Sequence, residues 1–307
     1  MPVTKRAPKE KRDVHQEVTD AIIAALEKGT APWVKPWNSS AGFPVNATTN
    51  KAYNGVNVFL MWLMEGANGY TTSRWLTFKQ AKGAGGSVKR GEKGTRIVFF
   101  NWREFKDPDS DKPKRIPLLR FYTVFNVDQC EGLNPKTLGE TVTDEALTEA
   151  DRIAHAEAFF AAIHKSTGIV PRRGGGRACY SPATDVINLP EFASFKDAGA
   201  AYATEAHEFG HATGHKSRLD RDLSGNFGSH AYASEELVAE MTSAFICAQL
   251  GLTGMLQHPE YIGNWIKVLK GNKKAIFTAA SLAKKAHTFL AEAAGEPMGT
   301  PTKSDDE

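Results

Sequence analysis

Residues 207–211 read His207-Glu208-Phe209-Gly210-His211, an H-E-x-x-H pattern closing the run AGAAYATEAHEF from Ala198 to Phe209. Within that run Ala201, Tyr202, Ala206 and Phe209 recur close to helical spacing. Two histidines four apart on a helix lie one above the other on the same face. Their imidazoles can then reach one ion at about 2.0–2.1 Å. The glutamate between them stands beside the open coordination position, where it can take a proton from water. The pattern therefore predicts His207 and His211 as metal ligands and Glu208 as a general base, the donor set of a zinc peptidase. A solvated amphipathic helix would also give the string, so the surrounding chain has to decide.

A second acidic helix follows at a plausible distance, Ser234-Glu235-Glu236-Leu237-Val238-Ala239-Glu240. Ser234 suits an N-cap, and Glu235 and Glu236 in the first turn suit the helix dipole. Three residues compete for the third ligand position. His215 extends the series of His207 and His211, but in an unbroken helix it would lie about 12 Å along the axis from His207. Gly214 can end the helix before it. Glu236 and Glu240 are four apart and share a face. One can bind the metal while the other accepts the outer N–H of a ligand histidine; the spacing alone allows either order.

At 307 residues, 41% of them hydrophobic, the chain has room for two domains with real cores. No apolar run approaches a membrane span, and Val58 to Met64 is among the longest. The basic N-terminus lacks an apolar segment of the secretory kind. Cys130, Cys179 and Cys247 are widely spaced and form no C-x-x-C. They read as reduced thiols of a cytosolic protein and argue against a cysteine-built zinc site. The net charge of +3 hides an asymmetry: residues 1–130 carry 21 Lys and Arg against 12 Asp and Glu, and the remainder 17 against 23. Five of the six tryptophans (Trp33, Trp37, Trp62, Trp75, Trp102) lie in the basic part. Two units with different partners are expected.

Helices are expected over Asp13–Lys28, with Gly29 as a stop, and over Val56–Glu65. Thr77 and Gln80 suggest a capping box. A basic glycine turn from Gly85 to Gly94 precedes strands at Thr95–Arg103 and Leu118–Val127, with the polar run 107–114 between them. Residues 131–145 read as a linker. Then come an amphipathic helix at Glu149–Lys165, a strand at Asp185–Leu189 able to pair with an extended substrate, the two metal helices, and helical stretches at Tyr261–Lys270 and Lys273–Ala294. The tail after residue 295 reads as disordered.

Single-stranded DNA binders combine a positive groove with aromatic faces on which bases stack. The first 130 residues hold both: Lys35 between Trp33 and Trp37, Lys51 near Tyr53, Arg74 beside Trp75, and Lys89, Arg90, Lys93 and Arg96 around the glycine turn. Trp62 and Trp75, inside apolar patterns, read as core; Trp33 and Trp37, between prolines, suit stacking and packing equally. A recognition helix or zinc module for reading duplex DNA is not evident.

Several ordered motifs carry a resemblance. P-W-V-K-P-W-N (32–38), K-A-Y-N-G-V-N (51–57), W-L-T-F-K-Q-A (75–81) and K-R-G-E-K-G-T (89–95) resemble the ArdC-type antirestriction proteins of conjugative plasmids, and the same module is similar to the front end of some plasmid transfer primases. H-E-F-G-H-A-T-G-H, S-R-L-D-R and Y-A-S-E-E-L-V-A-E, between residues 207 and 240, resemble the metallopeptidase half of that family. The resemblance covers most of the chain. It implies an α+β protein: a small basic single-stranded-DNA-binding domain (1–130), the linker, and a mainly helical zincin-like domain (146–295). It also implies protection of incoming plasmid DNA in the cytoplasm of a bacterial recipient cell. By resemblance to thermolysin-like zincins, Glu236 is the third ligand and Glu240 orients a histidine. One Zn²⁺ per chain is expected, or another divalent metal. His215, His230 and Tyr232 are candidate transition-state stabilisers.

Three readings follow: a DNA-binding antirestriction protein with a working protease, a regulatory protease that cleaves a host DNA-binding or restriction protein, and a pure single-strand-binding module with a structural metal. The intact Glu208 favours catalysis, because a structural site needs no base.

Overall fold

The computed structural model describes residues 13–33, 42–105, 114–139, 148–225, 228–252 and 259–297. Asp13 caps α1 (Val14–Glu27) by accepting from the Gln16 amide at 3.2 Å, and Gly29, at φ 76°, turns the chain away after it. Val18, Ile22 and Leu26, spaced by four, form its buried stripe. Strand β1 (Val45–Asn46) leads to α2 (Val56–Asn68). Strand β2 (Arg74–Thr77) runs directly into α3 (Phe78–Gly83) through the Thr77–Gln80 capping box. Then come β3 (Ser87–Val88), β4 (Thr95–Phe105), β5 (Lys114–Asn126) and β6 (Cys130–Glu131).

These strands form a four-stranded sheet ordered β1-β2-β5-β4 and a two-stranded pair β3-β6. The β4–β5 ladder is long and antiparallel, pairing Thr95 with Val124 and Val98 with Phe121. Trp62 and Trp75 are core, as expected, at 1% and 0% exposure. The Trp75 indole donates to the buried Glu65 carboxylate at 3.1 Å, which also receives the Ser73 hydroxyl at 2.5 Å. The linker does not begin at residue 131. β6 pairs with the open edge of β3, and Cys130, Leu133 and Leu138 pack with Ala47, Leu76 and Ala81. Residues 130–139 thus complete the first unit. Of the polar run 107–114, Lys114 opens β5 and the rest lies outside the described residues, as do residues 106 and 140–147.

The second unit opens with α4 (Glu149–Thr167), started by a Thr148–Asp151 capping box and ended by Gly168 at φ 72°. Strands β7 (Arg172–Arg173), β8 (Cys179–Ser181) and β9 (Val186–Leu189) form a sheet ordered β7-β9-β8. The strand expected to pair with a substrate is therefore central, with both neighbours taken, and β7 and β8 are the edges. Helices α5 (Ala198–Ala212), α6 (His230–Leu250), α7 (Pro259–Gly271) and α8 (Ala275–Ala293) complete the fold. α6 starts a turn earlier than the sequence suggests. Ser229, not Ser234, caps it, accepting from the Tyr232 amide at 3.1 Å, and the Ser234 hydroxyl donates back to the His230 carbonyl at 2.8 Å. Glu296, placed in the tail by the sequence reading, is anchored by His155 at 2.9 Å; residues 298–307 lie outside the described residues. No helix among the described residues is long and apolar enough to cross a membrane.

One core joins the units. Val18, Ile22, Trp33, Phe59 and Trp62 from the first pack with Leu237, Met241, Phe245, Trp265 and Ile276 from the second. Trp33 is 4% exposed, edge-on to Trp265 at 5.2 Å and to Phe59 at 6.3 Å. Its ring is therefore core and not open to a base, because two aromatic neighbours outcompete solvent for its faces. A second core, including Phe159, Phe160, Ile187, Tyr202, Phe209 and Leu290, backs α5.

Because the first core is shared, Trp265→Ala should destabilise the whole chain by about 3–5 kcal/mol. Urea unfolding followed by circular dichroism should show one displaced transition. A displaced transition carrying only part of the signal would mean that the units unfold independently.

Candidate metal centre

α5 is buried along almost its whole length, from Ala201 to Gly210, between the second core and α6. Asp197 caps it, accepting from the Ala200 amide at 2.7 Å. α5 and α6 approach closely at Gly210, where a Cβ would lie 3.1 Å from the Ala239 Cα. That approach brings Glu236 of α6 onto the histidine face of α5. His207 Nε2 lies 3.1 Å from His211 Nε2 and 3.4 Å from a Glu236 oxygen, and His211 Nε2 lies 3.5 Å from the other Glu236 oxygen. Ligands about 2.0–2.1 Å from an ion at tetrahedral angles stand roughly 3.3 Å apart. These three side chains are thus spaced to hold one divalent ion. Glu208, 6% exposed, carries a buried Oε2 with no hydrogen-bond partner among the described residues. A buried, unsatisfied carboxylate oxygen is costly; beside this donor set it fits a site that holds a metal and a water.

The electrostatics agree with a cation site. Burial lowers the affinity of His211 for a proton, but hydrogen bonds to Glu235 and Glu236 outweigh it and hold the pKa up at about 10. Burial raises Glu236, but His207 and His211 hold it well below the ordinary carboxylate range. A divalent cation would feel the same field and would displace the proton on binding.

Sequence reasoning missed the next layer. Glu235, read only as a helix-dipole residue, stands 3.3 Å from His211 Nδ1. Arg221, from the S-R-L-D-R run, grips the Glu235 carboxylate at 2.7 and 3.0 Å. Glu240, the expected orienter, is buried at 3% exposure one turn beyond Glu236. His215 lies outside the cluster, beyond the end of α5, with its Nδ1 2.7 Å from the Ser217 hydroxyl. His230 opens α6 and is exposed.

The four motif residues line a cleft of about 760 Å³, walled by Cys179 and Tyr180 of β8, Leu223, Tyr232 and Tyr261. Burial and hydrogen bonds to Tyr261 and Glu236 push the Tyr232 hydroxyl far above the ordinary phenol range, so it stays a proton donor. β8 is held against α5 by Arg218, which bonds to Asp185, to the Tyr180 hydroxyl at 3.2 Å and to the Ala212 carbonyl at 2.6 Å.

The expected DNA contacts divide. Lys51, Lys89, Arg90, Lys93 and Arg96 are exposed. Lys89, Arg90 and Lys93 pair with no carboxylate among the described residues, whereas Arg96 pairs with Glu17 at 2.7 Å and lies over the Phe121 ring. Arg74 serves the fold, donating to the carbonyls of Ala47 at 2.9 Å and Gly139 at 2.7 Å. Tyr53 is partly buried against the core around Met61 and Trp75. Lys35 and Trp37 lie outside the described residues. Among the described residues of the first unit the exposed rings are others: Phe78 at 60%, Phe100 at 54% and Tyr122 at 40%. Phe78 had a signal, since it directly follows the capping Thr77 beside Lys79.

The chain matches the family model of the N-terminal domain of anti-restriction factor ArdC over residues 12–125 and that of a zincin-like metallopeptidase over residues 154–282. The protein y4eC of Sinorhizobium fredii (strain NBRC 101917 / NGR234) is 42% identical over 294 residues, 92% of each chain. A DNA primase TraC of Escherichia coli is 37% identical over 300 residues, which are 91% of this chain and 20% of the primase. Crystal structures of the antirestriction ArdC protein from plasmid R388 superpose with TM-scores of 0.77 (metal-free, 40% identical) and 0.74 (Mn(II)-bound, 38% identical). They cover 94% and 95% of this chain and the whole of theirs.

The Arg218 clamp gives a pH test. Its hydrogen bond to Asp185 outweighs burial and, with Tyr180, holds that carboxyl down at about 2. A lowered value in the folded state stabilises above the unfolded value, about 3.9, and the gain is lost as pH falls through the folded one. Asp185→Asn should therefore be less stable than the parent at neutral pH, with the gap closing as pH falls toward 2. Denaturant titrations across that range check it; a gap independent of pH would assign the loss to packing.

Proposed function

The chain belongs to the family of the ArdC antirestriction protein, and from that premise we propose that it shields incoming plasmid DNA by binding single strands through its basic first unit, while its second unit is a zinc-dependent peptidase. The observation that carries the peptidase reading is the convergence of His207, His211 and Glu236 beside the unpartnered oxygen of Glu208. His207, His211 and Glu236 would hold Zn²⁺, which when bound acidifies water and polarises a peptide carbonyl. Glu208 accepts the proton of the attacking water and passes it to the leaving amine. Tyr232, facing the same cleft and kept protonated, donates to the developing oxyanion. An extended peptide adds to the edge strand β8, whose residues wall the cleft. Glu240 supports the ligand face from one turn along α6. The unpartnered Glu208 oxygen disfavours a purely structural metal.

The DNA reading rests on the turn between β3 and β4. Lys89, Arg90 and Lys93 stand there exposed, on the unit that carries the exposed rings of Phe78 and Tyr122. Phosphates meet the cations and bases stack on the rings, with no element for reading sequence among the described residues. Such shielding operates in the cytoplasm of the recipient cell, where conjugation delivers a single strand.

His211→Ala should lose the bound metal while Glu208→Ala keeps it and loses any hydrolysis, and Glu236→Ala should weaken metal binding more than Glu240→Ala. Metal analysis and chelator competition decide; equal metal content in His211→Ala and Glu208→Ala would refute the roles.

The full chain should bind single-stranded DNA better than duplex, with affinity falling with salt at roughly 0.7 per phosphate contact. Joint Lys89→Glu, Arg90→Glu and Lys93→Glu should flatten that slope, and Phe78→Ala should cost about 1–3 kcal/mol. Salt-independent binding, or full protection of plasmid transfer into a restricting host by the charge-reversed chain, would count against this surface.

A further inference from the structure

Arg221 touches none of the three side chains proposed to hold the metal, yet it is built into their support. It lies in the loop after α5, and its side chain is 5% exposed. Its Nε and one terminal nitrogen donate to both oxygens of Glu235, at 3.0 and 2.7 Å. The remaining donations go to α5 and its cap: the Gly210 carbonyl at 2.7 Å and the Thr213 hydroxyl at 2.8 Å. Gly214 leaves room for this fork, since a Cβ there would come within 3.0 Å of an Arg221 terminal nitrogen. The same Glu235 oxygen that receives the 2.7 Å bond stands 3.3 Å from His211 Nδ1.

We infer that Arg221 and Glu235 act as one positioning unit for the second histidine. Glu235 fixes the His211 ring so that Nδ1 carries its proton and Nε2 faces the ion. Arg221 holds Glu235 in that place. The inference rests on the metal-site reading above.

The physical need for both residues is specific. A carboxylate that accepts the outer N–H of a ligand histidine sets the ring's tautomer and rotation. A carboxylate buried beside a second one, Glu236, is costly without a counter-charge. A guanidinium answers with a planar fork that engages both oxygens and fixes their direction, which a lysine could not do. By binding the Gly210 carbonyl as well, Arg221 ties Glu235 of α6 to the helix that carries His211. The ligand and its orienter then move together.

The test is a metal-affinity cycle on the full chain, with Zn²⁺ and a competing chromophoric chelator, comparing the parent, Glu235→Ala, Arg221→Met and the double variant. Each single change should weaken Zn²⁺ binding by about 10–100-fold, with far-ultraviolet circular dichroism unchanged. The double variant should bind no more weakly than Glu235→Ala, because a residue acting only through Glu235 adds nothing once Glu235 is gone. The visible absorption of the Co²⁺-loaded protein should change in both single variants, reporting a displaced ligand ring.

Glu205→Gln is the control. Glu205 is 1% exposed on the same helix and accepts from His164 at 2.8 Å and Arg173 at 2.6 Å, away from the ligands. It should lower stability without changing Zn²⁺ affinity. If Glu235→Ala does not fold, Arg221→Met alone must show the loss. Parent-like affinity in Glu235→Ala or in Arg221→Met, or losses that multiply in the double variant, would overturn the inference. A parent chain that takes up no divalent metal would instead overturn the metal-site reading.

Discussion

The close approach of α5 to α6 at Gly210 is the constraint from which the site follows. Glycine there lets the backbone of one helix lie against Ala239 of the other. With that spacing Glu236 reaches between His207 and His211, and Glu235 reaches the far side of the His211 ring. A larger residue would push the helices apart by tenths of an ångström, and donor atoms that must meet one ion do not tolerate such a shift. The second core backs α5 from behind, so the helix cannot retreat.

Around that contact the charges are arranged in pairs. Glu235 has Arg221, Asp185 has Arg218, and Glu205 has His164 and Arg173. Arg221 joins α6 to the loop after α5, Arg218 joins that loop to the turn before β9, and His164 of α4 and Arg173 of β7 hold α5 through Glu205. Glu208 carries a buried oxygen with no hydrogen-bond partner among the described residues.

The shared core ties the two units to each other. An aromatic succession runs from Tyr232 and Tyr261 at the cleft to Trp265, and from Trp265 to Trp33 and Phe59 of the first unit. Each contact is ordinary packing, but together they make the cleft wall and the first unit one apolar body. The family models divide the chain near its middle, and the physics of burial does not.

The sequence by itself determined the elements whose signals are local. The helical period of α1 and α4, the stop at Gly29 and the Thr77–Gln80 capping box of α3 were legible, as were the α+β class, the H-E-x-x-H face and the basic character of the first 130 residues. These depend on neighbours three or four residues apart, or on composition. What depends on distant residues was decided only by the tertiary structure. Trp33 looked as fit for a base as for a core until Trp265, far along the chain, covered it. Ser234 looked like a cap, but Ser229 lay one turn earlier and the helix began there. The strand at 186–189 could not be known as central before β7 and β8 took both its sides. Glu235 and Arg221 are 14 residues apart in the chain, and nothing local to either shows that they share one imidazole. Local propensity acts within a turn of helix, whereas ligand geometry and burial are set by whichever surfaces pack together, and that packing is a property of the whole chain.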